Sequence, residues 1–107
     1  MAVVLMMEWD KPKEETRLRE YRKTGPRTMH VQDPWWQKKV KEGIVKRAEG
    51  WADVTGHIIG WIEFENMDTF GKFWSDKEWH MLTIGFQPLV DNLHMRLLRP
   101  SVRIKEE

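Results

Sequence analysis

The chain has 107 residues, room for one domain with a modest core, read here as a single unit over 1–107. Apolar residues make up 40% and charged residues 33%, which excludes global disorder, while eighteen Lys/Arg against seventeen Asp/Glu leave a formal charge of +1. That balance disfavours a strongly basic nucleic-acid binder, and the absence of cysteine removes disulfides, zinc fingers, thiol nucleophiles and Fe–S clusters.

No apolar run approaches the roughly 20 residues that span a bilayer. The opening MAVVLMMEWD has no basic segment and reaches Glu8 too soon for a signal peptide, so a cytoplasmic protein is expected. Seven tryptophans are the compositional anomaly, spread from Trp9 to Trp79. A domain this small cannot hide them all, so some are expected to line a cavity or a subunit interface.

In chain order, Ala2–Trp9 is a short, Val-rich apolar run and reads as a central strand. Lys11–Lys23 is helical by composition, with Glu15–Arg19 as a favourable i,i+4 pair and a thin apolar face of Leu18 and Tyr21. Gly25-Pro26 predicts its end, and Thr24–Gln32 a loop. Asp33-Pro34 reads as an N-cap with Pro at the first helical position, opening a helix over Pro34–Glu42 with Trp36 and Val40 on one face and Gly43 as its stop.

Ile44–Glu49 alternates as a strand, Gly50–Gly56 carries turn residues, and His57–Glu65 (HIIGWIEFE) is the clearest strand of the chain. Asn66 or Asp68 caps a helix whose Phe70, Phe73 and Trp74 recur at i, i+3, i+4. Ser75-Asp76-Lys77-Glu78 has capping-box spacing and predicts a restart, with Trp79, Leu82 and Phe86 continuing the apolar face. Leu93–Ile104 reads as the last strand, with Pro100 implying an edge or a bulge.

This order predicts an α+β, ferredoxin-like βαββαβ domain: a four-stranded antiparallel sheet with helices on one face and the other face open. Period-2 alternation sorts the strands. Val3, Leu5, Met7 and Trp9, with Ile58, Gly60, Ile62 and Phe64, and with Leu93, Met95 and Leu97, belong under the helices. Glu8, His57, Trp61, Glu63, His94 and Arg96 fall on the open face. That row holds too much Trp and Ile for bare solvent and too much charge for a dry core, and a cavity partly closed by a second subunit fits it.

The layout resembles the dimeric α/β-barrel superfamily, which includes antibiotic-biosynthesis monooxygenases, haem-degrading monooxygenases, EthD-like and NIPSNAP-like proteins and stress-responsive barrel proteins. The residues that carry the resemblance are Gly60-Trp61-Ile62-Glu63-Phe64-Glu65-Asn66-Met67-Asp68-Thr69-Phe70, followed by Phe73-Trp74-Ser75-Asp76-Lys77-Glu78-Trp79-His80. The motif match spans about residues 57–98, while the Thr24–Gln32 segment and the DPWW stretch depart from the uninterrupted first helix of many members. The resemblance implies a homodimer with its sheets face to face and a ligand cavity between sheet and helices in each subunit. It does not fix a reaction, because one fold hosts many activities.

The candidate chemistry rests on few residues. The resemblance makes His80 either an axial haem ligand or a general base, and the plainer reading is a half-exposed helix histidine. Against haem, the first strand carries Met7-Glu8-Trp9 where haem-degrading members place an Asn, and Ser75 to His80 is shorter than their spacing. No cofactor is therefore expected. His94 and Arg96 share a face with Glu8 and form an anion clamp, an acid–base pair or a plain salt bridge. Trp61, Trp74, Glu63 and His57 are candidates to contact a substrate, Trp61 alternatively filling a dimer interface.

The histidines show no HxH or HExxH spacing, so no metal site is expected. No Gly-rich phosphate loop, GxSxG elbow or dinucleotide fingerprint is present, which disfavours serine hydrolases and nucleotide-dependent enzymes. The leading expectation is a small cofactor-independent, monooxygenase-like enzyme acting on a small aromatic or polyketide-like molecule. The alternatives are a non-catalytic ligand-binding or stress-response barrel and a haem-binding protein. No nucleic acid or membrane partner is expected.

Overall fold

The computed structural model describes residues 2–29 and 34–100. Eight elements follow one another: β1 (Val3–Asp10), α1 (Glu15–Met29), α2 (Pro34–Lys41), β2 (Arg47–Ala52), β3 (His57–Phe64), α3 (Met67–Trp74), α4 (Lys77–Phe86) and β4 (Asp91–Leu98), with a 3₁₀ turn at Gln87–Leu89 before the last strand. The strands form one sheet in the order β2-β3-β1-β4, every neighbouring pair antiparallel. This is the ferredoxin-like sheet that the alternation predicts, and β1 lies at its centre.

The sheet's inner face is apolar because β1 alternates strictly. Val3, Leu5, Met7 and Trp9 are buried, and Val4, Met6, Glu8 and Asp10 are half-buried on the other side. Ile62 and Phe64 of β3 join the inner row, and Phe73, Trp79 and Phe86 close over it from α3 and α4. The packing is aromatic: Trp9 meets Phe86 edge-on at 5.0 Å, and Phe73 lies 4.5 Å from Trp79 and 5.0 Å from Phe64, centroid to centroid. The indole N–H of Trp9, buried at the far end, donates to Tyr21 Oη at 3.3 Å, so α1 is fastened to β1 through a satisfied polar tip.

The helix ends are chemically specified. Asn66 and Thr69 form a reciprocal capping box at the start of α3, Asn66 Oδ1 accepting from Thr69 N at 2.9 Å. Asp76 caps α4, its Oδ1 accepting from Glu78 N at 2.7 Å; the cap is Asp76, one residue later than the spacing from Ser75 predicts. Gly43, at φ +76°, ends α2, with Ile44 N donating to Lys39 O and Gly43 N to Val40 O, a Schellman pair.

Four expectations need correction. The backbone of α1 runs through Gly25-Pro26 to Met29, because Pro26 removes one backbone donor while the turns on either side keep theirs. In α2 it is Lys39, not Val40, that is buried with Trp36. Strand β2 runs Arg47–Ala52 rather than Ile44–Glu49: Val45 is buried as the chain leaves α2, and Trp51 pairs opposite Ile59 instead of sitting in a turn. Strand β4 ends at Leu98, so Pro100 follows it. The expected cap at Asp33 and the stretch Ser101–Ile104 lie outside the described residues.

Candidate functional site

The open face of the sheet is a grid that the strand register fixes. Reading across β2, β3, β1 and β4, its rows are Arg47–Glu63–Val4–Leu98, Glu49–Trp61–Met6–Arg96 and Trp51–Ile59–Glu8–His94. Among the described residues no helix covers these rows. Trp51 is 65% exposed on the β2 edge, and Ile59, Trp61 and Met6 are half-buried beside it. The face is thus an apolar diagonal from Trp51 to Leu98 with charged groups in the corners on either side of it.

At one end three ionisable side chains meet. His57 opens β3 directly opposite Asp10, and its Nδ1 lies 2.8 Å from Asp10 Oδ1. Its Nε2 lies 3.5 Å from Glu8 Oε2. The imidazole therefore sits between two carboxylates, an arrangement that favours the doubly protonated ring, whose two N–H groups both donate. The bond to Asp10 holds His57 above the ordinary histidine value of 6.5, with Glu8 adding to it against the opposing effect of desolvation.

Asp10 is in turn held below its ordinary 3.8, first by Asn92, whose Nδ2 donates to Oδ2 at 2.8 Å, and then by His57. Asn92 reaches that position from the start of β4, at φ +56°, a left-handed conformation that asparagine tolerates. The backbone of His57 is also anchored, its N–H donating to Asp53 Oδ1 at 3.1 Å. That same oxygen accepts from Thr55 N and Oγ1, the Asx turn that closes the β2–β3 hairpin at Gly56.

The expected residues divide between the two sides of the molecule. Glu8, His57, Trp61, Glu63, His94 and Arg96 lie on the open face, as the alternation predicts, with His94 opposite Glu8 and Arg96 opposite Met6. His80 and Trp74 are elsewhere. In α4 the buried positions are Trp79, Thr83 and Phe86, which turns His80 toward solvent. It is exposed on the outer helical surface, its ring 6.3 Å from that of Trp74, which is 40% exposed. His80 and Arg96 therefore do not share a site. An exposed ring on the outer helical surface does not fit an axial ligand enclosed in a haem pocket.

Asp10 and Asn92, which complete the site, lie one step beyond the strand limits read from the sequence. Asp10 has the parity of Glu8 and was legible as its neighbour on the same face; the link to Asn92 depends on a register shift between Glu8 and Asp10 where β1 meets β4. Among the described residues no group of His, Asp and Glu converges with metal-holding geometry, and no helix is long and apolar enough to cross a membrane.

Openings lined by described residues border the sheet. A cleft of about 840 Å³ lies at the end of β1, between the β2–β3 turn and the start of α1. Two smaller ones, of about 440 and 420 Å³, follow the inner row of β4 at Leu93 and Met95 and at Leu97 beside Val3.

Solved structures share this architecture. Rv0793 of Mycobacterium tuberculosis superposes with a TM-score of 0.72 at 6% identity, over 98% of this chain and 100% of that one. A candidate antibiotic-biosynthesis monooxygenase of Deinococcus radiodurans superposes at 0.68 and 12% identity, over 100% and 99% of the two chains. The fold is ferredoxin-like. A dimeric ferredoxin-like protein from an uncultured marine organism matches at 0.68 and 16% identity, over 98% and 93%, and NIPSNAP-family structures share the fold at lower similarity. At these identities the likeness is one of fold. No protein-family sequence model matches the chain, and no curated protein sequence matches it.

Proposed function

We propose that the protein is a homodimer packed through the open sheet face, and a small cofactor-independent, monooxygenase-like enzyme acting on a compact aromatic or polyketide-like molecule. One observation carries the reading: a carboxylate–imidazole–carboxylate group, Glu8–His57–Asp10, shares the open sheet face with the exposed Trp51 and the half-buried Trp61. The fold of a candidate monooxygenase and of a dimeric ferredoxin-like protein supports both halves of it.

In this reading Asp10 and Asn92 keep His57 charged and oriented. Glu8, held only loosely by His57 at 3.5 Å, takes a proton from an acidic C–H of the substrate. The His57 imidazolium donates to the enolate oxygen that forms, and His94 or Arg96 adds positive charge across the strand pair. The carbanion then reacts with dioxygen. A methylene becomes a carbonyl, one oxygen atom enters the product, the other leaves as water with the two substrate hydrogens, and the four electrons lost by carbon reduce the dioxygen. The second subunit excludes water from the reacting carbon.

The test is oxygen uptake with a panel of aromatic ketones and hydroquinones that carry acidic C–H or O–H groups. The reading expects uptake that falls about a hundredfold or more in Glu8→Gln and falls as pH rises through the His57 titration. Unchanged uptake in both Glu8→Gln and His57→Gln sinks the residue assignment. A binding protein without turnover is the second reading, favoured by the separation of His80 and Trp74 from the open-face group. Ligand retention in native mass spectra without oxygen uptake selects it.

A further inference from the structure

The cleft of about 840 Å³ at the end of β1 is not used by the chemistry above, although Asp10 forms part of its floor. Its walls come from three places: the exit of β1, the first turns of α1, and the β2–β3 hairpin, which Lys11 N ties down by donating to Gly56 O at 3.1 Å. Its size is that of a small-molecule site.

The charges around it are unbalanced. Two carboxylates line the cleft and both are already engaged. Asp10 is held by Asn92 and His57, each at 2.8 Å. Asp91 is paired with Arg17 at 3.0 Å, and Arg17 is itself fixed by donating to the carbonyls of Pro88 and Val90. Three cations line the same cleft, Lys11, Lys13 and Arg22, and none is in an ion pair among the described residues. The acids of α1 are directed elsewhere, Glu15 to Arg19 at 3.3 Å and Glu20 to Lys23 at 3.7 Å. Leu18 lies one helical turn before Arg22 on the same side of α1, and Val54 stands fully exposed on the hairpin, so the cleft also has aliphatic walls.

We propose that this cleft binds a small organic molecule with an anionic oxygen group, the charge held by Lys11, Lys13 and Arg22 and the apolar body resting on Leu18 and Val54. Two lysines and an arginine lining a cleft whose two carboxylates are already paired attract such a group through charge-assisted hydrogen bonds. The inference is independent of turnover, since binding is read without any reaction.

The experiment is a set of backbone amide NMR titrations of the intact protein with benzoate, phenyl phosphate, inorganic phosphate and neutral benzyl alcohol. Benzoate or phenyl phosphate is expected to shift the amides of Lys11, Lys13, Thr55, Gly56 and Asn92 in a saturable way that weakens with added salt. Whichever binds more tightly identifies the carboxylate or the phosphate ester as the preferred source of charge, and inorganic phosphate shifting the same amides more weakly supports both halves of the site. The double variant Lys13→Glu with Arg22→Glu, at exposed positions, is expected to bind about tenfold more weakly or worse. The double variant Lys13→Arg with Arg22→Lys is expected to stay close to the parent. Benzyl alcohol binding as well as benzoate, charge-reversed protein binding like the parent, or no saturable shift with any probe would overturn the proposal.

Discussion

Replacing Asp76 isolates what fastens the helical layer together. Its Oδ2 lies 2.7 Å from Lys39 Nζ, and its Oδ1 caps α4 through Glu78 N at 2.7 Å. The Lys39 and Asp76 side chains are only 9% and 20% exposed. Lys39 also lies over the Trp35 ring at 5.4 Å, and Glu42 approaches it at 3.7 Å. Removing an N-cap acceptor costs about 1 kcal/mol. Stripping one partner from a fully buried pair costs roughly 3–5 kcal/mol, and because both groups here keep some water and Glu42 remains, about 2 kcal/mol is the appropriate share.

Asp76→Ala should therefore destabilise by about 3 kcal/mol, a fall of about 12 °C or more in Tm for a domain of this size. Asp76→Ser keeps a capping oxygen and loses only the charge, so it should cost about 2 kcal/mol. Lys39→Met leaves Asp76 able to reach water and to cap α4, and should cost about 1 kcal/mol or less. Thermal and urea denaturation at one fixed protein concentration measure all three. If Asp76→Ala and Asp76→Ser both cost under about 1 kcal/mol, the pair behaves as a surface ion pair and the account of how α2 is pinned to α4 is wrong.

The His57 group makes stability depend on pH in a set direction. Its folded value is raised above 6.5, so its contribution is fully present below that pH and is lost as pH rises through the higher folded value; Tm scans from mild acid into mild alkali should show this slope, and His57→Gln should flatten it. Asp10 works in the opposite sense: its contribution is present above 3.8 and disappears as pH falls through its lower folded value, a loss that Asp10→Asn should remove from the acid limb of the same scans. Gly43→Ala, at φ +76°, should cost about 1–2 kcal/mol in urea denaturation. Asn66→Ala should lose about 1 kcal/mol through the α3 capping box, and Asn66→Asp should recover most of it.

Much of this architecture is written in the alternation of β1 and β3. Val3, Leu5, Met7 and Trp9 declare an inner face, and the same counting places Glu8, His57, Trp61, Glu63, His94 and Arg96 outside, where the register finds them. What local pattern does not carry is pairing across the chain. Strand β2 starts at Arg47, opposite Glu63 near the end of β3, because pairing sets its limits, and Val45, a good strand residue, serves as a core plug instead. Gly25-Pro26 looks like a stop, yet one missing donor does not end α1.

His80 is legible as chemistry and illegible as position, since only the burial of Trp79, Thr83 and Phe86 shows which way the helix turns it. The Asp10–Asn92 link joins residues 82 positions apart through a strand irregularity, and no sequence period predicts that. The charge imbalance of the β1 cleft is a tertiary property too: it emerges only when the partners of Asp10, Asp91, Glu15 and Glu20 are known.

The central claim is that a second copy of the chain covers the open sheet face, and sedimentation equilibrium tests it directly. Ile59 and Trp61 lie half-buried in the middle of that face, pointing away from the core. The account predicts a dimer for the parent protein and a folded monomer for Ile59→Lys with Trp61→Lys, the far-UV circular dichroism unchanged. A parent that is monomeric at every concentration, or a lysine variant that stays as tightly dimeric as the parent, contradicts it.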